Sequence, residues 1–550
     1  MLSGITSIRN YFLFLAIALF VLLVNLGSYG LAETSEARYA EISREMLQSG
    51  DYINPELLGI FHYHKPPLTY YITTLGYRIF GINEFGARFF LQIAIIVELL
   101  LVYGITMLLY NNRKIAFTSG LIYFSMPIVL ISSRNLTTDA YLTAFILAAV
   151  YCWQSYTTKG RIWSLYLFYL LSAMALLTKG PVALLFILTY IIVYKLIYKM
   201  GSKINIHHLL GICLCLVIGS SWYFVVGMNT PGLWDYFLGK QIVERITLNT
   251  YNRSKPFWFY LPLVIGLVLP WWLMFYKRTF NISGYWAKLS RQDRVLLVCS
   301  LCTFFFFSVF KSKLILYILP IFWMMAVLIA SQLFRAAQET YKLLSVAYAI
   351  LMGILIIAVV GLSLVYPSLF QIGLGTWLLS FCCFIVFGTL FYLIKNSRHY
   401  KPALLAGCFG ASLILIITSL MSHNAGTINS TKDIVTFING TSPIKHKTIL
   451  VYDYLLSSVP FYSDADLITL KCNHNTTYRE VQFQKDREWV EGLWDVNNTN
   501  VLSRLDSISH HKNTFLLIRK KRDLDDSLDY LRNNFNSTKD YPKWLLLYNK

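Results

Sequence analysis

The sequence predicts an integral membrane α-helical protein with about 13 transmembrane helices, external amphipathic helices and a C-terminal soluble α/β domain. Three observations carry this. The 550-residue chain is 56% hydrophobic and only 14% charged, and its mean hydropathy is +0.52. A soluble domain carries about 25% charged residues and does not expose apolar surface on that scale. Apolar runs of bilayer-crossing length recur up to residue 422, and the composition then turns polar.

The expected spans lie near residues 11–31, 89–110, 115–131, 139–156, 162–178, 181–200, 207–227, 257–276, 294–309, 314–334, 343–365, 369–394 and 402–422. The first run follows Arg9. It is longer than a signal-peptide core and no small-x-small site follows it, so it reads as a retained helix.

Loop charge sets the orientation. With the N-terminus in the cytoplasm, every inside loop is basic: Arg113 and Lys114, Lys159 and Arg161, Lys195 to Lys203, Lys277 to Arg294, Arg335 and Lys342, and Lys395 to Lys401. Much of the +20 net charge is therefore topological, and no nucleic-acid partner is implied.

An odd number of spans puts 423–550 outside. β-like runs at Thr448–Tyr452, Leu467–Leu470, Phe515–Arg519 and Trp544–Tyr548, with a helical pattern over Asp523–Asn533, read as a small α/β domain. The chain thus divides into a transmembrane domain, 1–422, and an external domain, 423–550. Eight cysteines fall in apolar segments and Cys472 stands alone in a polar one, so no disulfide framework is implied. Cys299-x-x-Cys302 lacks a second pair and reads as membrane thiols.

Two external loops are long and polar, near 32–88 and 228–256, and long loops carry function more often than short ones. The first opens with an amphipathic helical pattern over Glu33 to Leu47. Its acids suit a solvated surface helix. Equally, Glu33 and Glu36 directly follow a membrane helix, where carboxylates can meet a lipid-linked substrate. Further on come His62, His64 and Lys65, before Pro66-Pro67. The lysine backbone is restricted by the following proline and can present an ammonium to a phosphate. The His-x-His pair suits substrate hydrogen bonds, or a divalent metal if a third ligand comes from elsewhere.

Asp139 stands at the external mouth of the fourth span, as a cap or as a ligand for a cation or sugar hydroxyl. Lys179, Lys311 and Lys313 are external, against the positive-inside bias. Headgroup anchoring explains them, and so does a phosphate site. The second loop adds Arg245 beside an aromatic belt at Phe257-Trp258-Phe259-Tyr260. Together with Arg38, these cations fit a phosphate-bearing lipid substrate, because a leaving phosphate needs positive charge around it. No nucleotide-binding fingerprint is present.

Several short segments in this order resemble one family. They are Glu36-Ala37-Arg38-Tyr39-Ala40-Glu41-Ile42, Lys65-Pro66, Thr178-Lys179-Gly180, Pro256-Phe257-Trp258 and Ser308-Val309-Phe310-Lys311-Ser312-Lys313-Leu314. The family is the bacterial 4-amino-4-deoxy-L-arabinose transferases (ArnT) that modify lipid A, relatives of the protein O-mannosyltransferases. The resemblance runs through most of 11–335. It implies a GT-C-type membrane glycosyltransferase of the inner membrane, with its site and C-terminal domain on the periplasmic side. It also implies undecaprenyl-phosphate-linked aminoarabinose as donor and a lipid A phosphate as acceptor.

The family's first loop carries an Asp-Glu pair followed two residues later by Arg. Here Ser35 takes the Asp position, while Glu36 and Arg38 match and Glu33 has a counterpart. Asp139 and Lys65 also match, and His64 stands where the family often has Glu. Glu36, Glu33 and Asp139 are the expected catalytic acids, with Arg38, Lys65, Lys179, Lys311 and Lys313, and from the external charge also Arg245, binding substrate.

Two rival functions remain open on sequence. One is a polyprenyl-phosphate-sugar-dependent transferase acting on protein hydroxyls or another glycan. The other is a transporter of lipid-linked sugars, which would place charged groups or broken helices at mid-membrane.

Overall fold

The structure is a computed structural model that describes residues 6–201, 205–243, 254–275, 286–365, 371–396, 398–424, 428–441, 447–472, 481–484 and 488–549. It divides into two compact units. The first comprises Met1–Leu26, Phe89–Arg134 and Thr138–Leu420; the second comprises Gly27–Arg88, Asn135–Thr137 and Met421–Lys550. The first loop and the C-terminal segment thus share one unit.

Helical segments occupy all thirteen expected positions. Among the described residues, eight are long and apolar enough to cross a membrane by themselves: Glu84–Tyr110, Ile162–Lys179, Ile206–Asn229, Arg291–Val309, Ile315–Phe334, Gln338–Val365, Leu374–Leu393 and Lys401–His423. A ninth is the pair Arg113–Ser125 and Pro127–Ser133, bent by 64°. The bend has a local cause. Pro127 opens the second helix, and Met126 before it is extended at φ −71, ψ 124, as a residue preceding proline prefers.

Three further apolar helices, Ile8–Leu23, Val182–Tyr198 and Phe257–Leu267, are shorter. Thr138–Lys159 is long enough but contains Asp139, Thr143, Gln154 and Ser155, all buried. A helix shielded by protein does not need a lipid-compatible surface. The first span is shorter than expected. Its helix ends at Leu23 instead of continuing to Leu31, and the Arg134 guanidinium donates to the Val24 carbonyl at 3.3 Å.

On the basic-loop side, Asp293 ties three segments together. It forms a capping box with Ser290, accepts from the Tyr110 hydroxyl at 2.6 Å and pairs with Arg335 at 3.0 Å.

In the second unit, the first-loop helix runs Ser35–Ser49 and the next Leu68–Phe80. The solvated face expected for the former is absent: Glu36 and Glu41 are buried beside Ala37, Ala40, Ile42 and Met46. Between these helices, strands β1 (Glu56–Leu57) and β2 (Ile60–Phe61) pair antiparallel. Leu58 and Gly59 make the turn at positive φ, as a tight hairpin requires.

The C-terminal segment forms a six-stranded sheet from β3 (Thr448–Tyr452), β4 (Asp466–Lys471), β5 (Leu493–Asp495), β6 (Thr514–Arg519), β7 (Ser537–Asp540) and β8 (Trp544–Tyr548). The order is β5-β4-β3-β6-β8-β7. β3 to β6 are mutually parallel, whereas β8 runs antiparallel to both β6 and β7.

Both faces of this sheet are covered. Leu450, Leu470, Leu516 and Leu547 pack with Leu505 of helix Thr499–Ser509. Ile449, Val451, Phe515 and Leu546 pack with Ile434, Val435 and Ile438 of helix Lys432–Thr441. Continuous apolar runs such as TILVY and TFLLIR follow from this two-sided burial. The helix expected over Asp523–Asn533 is instead a single tight turn at Asp526–Leu528 and a short helix at Tyr530–Asn534.

Candidate active site

The polar residues of interest fall into two groups, one in each unit. In the second unit, Glu36 and Arg88 form a buried, two-pronged pair. Arg88 Nε and Nη2 donate to the two carboxylate oxygens, both at 2.8 Å. The guanidinium also donates to the carbonyls of Tyr29 at 2.9 Å and Gly30 at 3.0 Å, and it stacks over the Tyr29 ring at 4.0 Å. Glu36 accepts in addition from the Ala32 amide at 2.8 Å. This carboxylate is held by partners that fix the turn entering helix Ser35–Ser49. Such a group positions the loop more readily than it exchanges protons.

Glu33 is differently placed. One carboxyl oxygen accepts from the Ser458 amide at 2.7 Å, while the other is buried without a hydrogen-bond partner. Its main chain pairs with Asn429, donating to the carbonyl at 2.6 Å and accepting from the side chain at 3.1 Å. Burial pushes the Glu33 carboxyl up to about 7, against the opposing pull of Ser458 and Arg38. A carboxyl poised near neutrality with a free oxygen can accept a proton or orient an amine. Arg38 Nε is likewise buried without a hydrogen-bond partner.

The His62 and His64 rings meet edge to face, with centroids 4.3 Å apart. Among the described residues no group of three His, Cys, Asp or Glu side chains is arranged to hold a metal ion. The pair by itself therefore does not fit a closed metal site. Lys65 is partly buried in the turn before helix Leu68–Phe80.

The first unit holds the second group. Asp139, in the first turn of helix Thr138–Lys159, pairs with Lys179 at the C-terminal end of helix Ile162–Lys179. The Lys179 ammonium also sits over the Tyr317 ring at 4.4 Å. Helix polarity favours this arrangement, with the acid at an N-terminus and the cation at a C-terminus.

Lys313 is buried and donates to the carbonyls of Lys255, at 3.1 Å, and Phe310. Its ammonium is thus engaged with backbone, where a phosphate ligand was expected. It clips together the segment in which Ser254 bridges Ser312 and the Lys255 amide donates to the Lys311 carbonyl at 3.1 Å. Lys311 itself is exposed. Arg245 lies outside the described residues.

Sequence reasoning paired none of these residues, and it missed Arg88, Tyr317 and Asp293. Arg88 carried one signal: a cation one residue before an expected apolar span. Tyr317, one of 38 tyrosines, carried none.

The chain is similar to several known proteins. Residues 7–237 match the family model described as dolichyl-phosphate-mannose-protein mannosyltransferase. The undecaprenyl phosphate-alpha-4-amino-4-deoxy-L-arabinose arabinosyl transferase 2 of Proteus mirabilis is 27% identical over 508 residues, covering 87% of this chain and 90% of that protein. The corresponding transferase of Pectobacterium carotovorum is 29% identical over 456 residues, 80% of each chain. The crystal structure of ArnT from Cupriavidus metallidurans bound to undecaprenyl phosphate superposes with a TM-score of 0.74 at 22% identity, covering 99% of this chain and 98% of that one.

The fold is that of the multi-pass ArnT crystal structure, and the chain is similar to these transferases along most of its length. More particularly it is similar to ArnT in sequence and fold, and over residues 7–237 to the protein mannosyltransferases.

Proposed function

We propose that the protein transfers an aminoarabinose-like sugar from undecaprenyl phosphate to a lipid A phosphate at the periplasmic face of the bacterial inner membrane. The observation that carries this is the end-to-end similarity to a transferase named for that donor, over 87% of this chain. Residues 1–422 form the transferase body in this reading, and 423–550 a periplasmic domain.

An acceptor phosphate oxygen forms a bond to the anomeric carbon while the bond from that carbon to the carrier phosphate oxygen breaks. The electron pair leaves with undecaprenyl phosphate. In the second unit Lys65 and Arg38 are the cations offered toward a phosphate, and in the first unit Lys179 is. Glu33 in the second unit, or Asp139 in the first, orients the sugar, including its amine, and Glu36 acts as a positioning residue through Arg88. His62 and His64 hydrogen-bond the substrate, and retention of activity in EDTA is the check on a metal there. The test is transfer of labelled sugar from polyprenyl phosphate to lipid A by purified protein. No transfer with several amino-sugar donors overturns the reading.

A second reading, transfer to a protein hydroxyl, is favoured by the mannosyltransferase match over 7–237 and by a carboxyl near neutrality at Glu33, since a hydroxyl needs a base. Mass spectrometry of lipid A and of periplasmic proteins from a deletion strain separates the two.

A further inference from the structure

The C-terminal sheet has a topological switch point between β3 and β6. From β3 the chain crosses to β4 and β5 on one side, then returns to β6 on the other, and continues to β8 and β7 away from β3. In open α/β sheets, ligands bind in the crevice beyond the carboxyl ends of strands where the order reverses in this way. Here those ends present Asp453 and Tyr454 after β3, and Arg519 closing β6.

Asp453 is already committed. It pairs with Arg522 at 2.5 Å and receives the Cys472 amide at 3.4 Å. Arg519 is not. Its guanidinium lies over the Tyr454 ring at 5.0 Å, and no ion pair to a carboxylate is found for it among the described residues. The Tyr454 ring is fixed from another side by Trp544, edge to face at 5.6 Å.

The first loop is tied to the segment that follows β3 within the same unit. Glu33 accepts from the amide of Ser458, four residues after Tyr454. The Tyr454 phenol lies within the fields of Glu33, Arg519 and Arg38 together. Arg38 brings a buried Nε–H that no acceptor among the described residues takes. One guanidinium is thus stacked on the Tyr454 ring, and the charges of Glu33 and of Arg38, which has an unused buried donor, are felt at the same phenol. An arginine fork matches the oxygens of a phosphate, and a stacked arginine is already oriented for it.

We propose that Arg519 and Tyr454 of the C-terminal sheet, with Arg38 of the first loop, form a phosphate-binding subsite for a phosphorylated lipid. The inference rests on the transferase reading for its ligand class. The phosphate belongs either to the glycolipid acceptor or to the polyprenyl carrier, which have this chemistry in common. The C-terminal domain is then a substrate-binding part of the enzyme, and Arg519 selects among substrates from outside the motif-bearing region.

The test measures binding to detergent-purified full-length protein. The probes are diphosphoryl lipid A, its dephosphorylated counterpart and undecaprenyl phosphate. Arg519→Gln is expected to weaken one phosphorylated lipid by about tenfold or more, the loss expected for a charge-assisted hydrogen bond. Loss confined to diphosphoryl lipid A assigns the acceptor, and loss confined to undecaprenyl phosphate assigns the carrier. Arg519→Lys, which keeps charge without the fork and guards against misfolding of the Gln variant, should fall between. Lys520→Gln, at an exposed neighbour paired with Asp540, should bind as wild type. Wild-type affinity of Arg519→Gln and Tyr454→Ala for both phosphorylated lipids overturns the proposal. Wild-type protein that binds these lipids through Arg519 but transfers no sugar would overturn the transferase reading and leave this subsite standing.

Discussion

Glu36 and Arg88 bind through both carboxylate oxygens at 2.8 Å, and both side chains are buried. Removing one partner leaves an uncompensated buried charge, which typically costs about 3–5 kcal/mol. Arg88→Met is therefore expected to lower stability by that order, with lost activity tracking the loss of folded protein. Thermal unfolding in detergent checks this. Glu36→Gln, which removes only the charge, should cost less, and activity per folded molecule should fall modestly. Complete loss of activity in stably folded Glu36→Gln would assign Glu36 a direct catalytic role.

Glu33 should govern a pH dependence. Its carboxyl titrates near 7 in the folded chain against an ordinary 4.5. The folded state therefore binds more protons across that window, and the stability contributed by protonated Glu33 is lost as pH rises from 4.5 through about 7. Glu33→Gln should flatten this part of the stability profile. If Glu33 acts as a base, kcat/KM rises through the same window and the Gln variant loses that limb. The loss would be about 10²–10⁴-fold for a hydroxyl acceptor and smaller for a phosphate.

Asp139 and Lys179 should show strong coupling. Lys179→Met removes the cation paired with the Asp139 carboxylate and should destabilise more than Asp139→Asn. The double variant should recover stability, because it removes both charges. Activity should not return with it if Lys179 supplies charge to the carrier phosphate. A double-mutant cycle on thermal stability and on transfer rate reads both quantities.

Lys313 and Lys311 should separate structure from binding. Lys313→Met leaves the Lys255 and Phe310 carbonyls without their donor, so it should lower the unfolding temperature. Exposed Lys311→Ala should not. If Lys311 alone meets anionic lipid, its loss should raise the apparent KM for donor with little change in kcat.

The helical layout was legible in the sequence because a bilayer imposes length and apolarity on every lipid-facing helix. Thr138–Lys159 was found by position although its buried polar residues remove it from the long apolar helices. β3, β4, β6 and β8 were legible as apolar runs because both faces of the sheet are buried. β7, with alternating exposure in the sequence Ser-Thr-Lys-Asp, was not. The pairing of Asp139 with Lys179 was beyond reach, since 40 residues separate them and a local pattern says nothing about which helix ends meet. Glu36 stood out because it is an acid beside a membrane, but the sequence could not reveal that Arg88 holds it. The same reading assigned Lys313 to phosphate because a lone external lysine looks free until the backbone carbonyls around it are known.

The partners of Glu33 arrive late. Asn429 and Ser458 follow it by 396 and 425 residues, whereas Arg88 follows Glu36 by only 52. At about 5–20 residues per second, roughly 20–80 s of translation separate the emergence of Glu33 from that of the segments that bury it. For that interval the first loop has its own internal ion pair but lacks its cover. A chain halted before residue 429 would carry the loop's acids in water, with Glu33 titrating as an ordinary glutamate. Nascent chains stalled at successive lengths would show that carboxyl becoming shielded from a water-soluble carbodiimide only after the last of these segments is made.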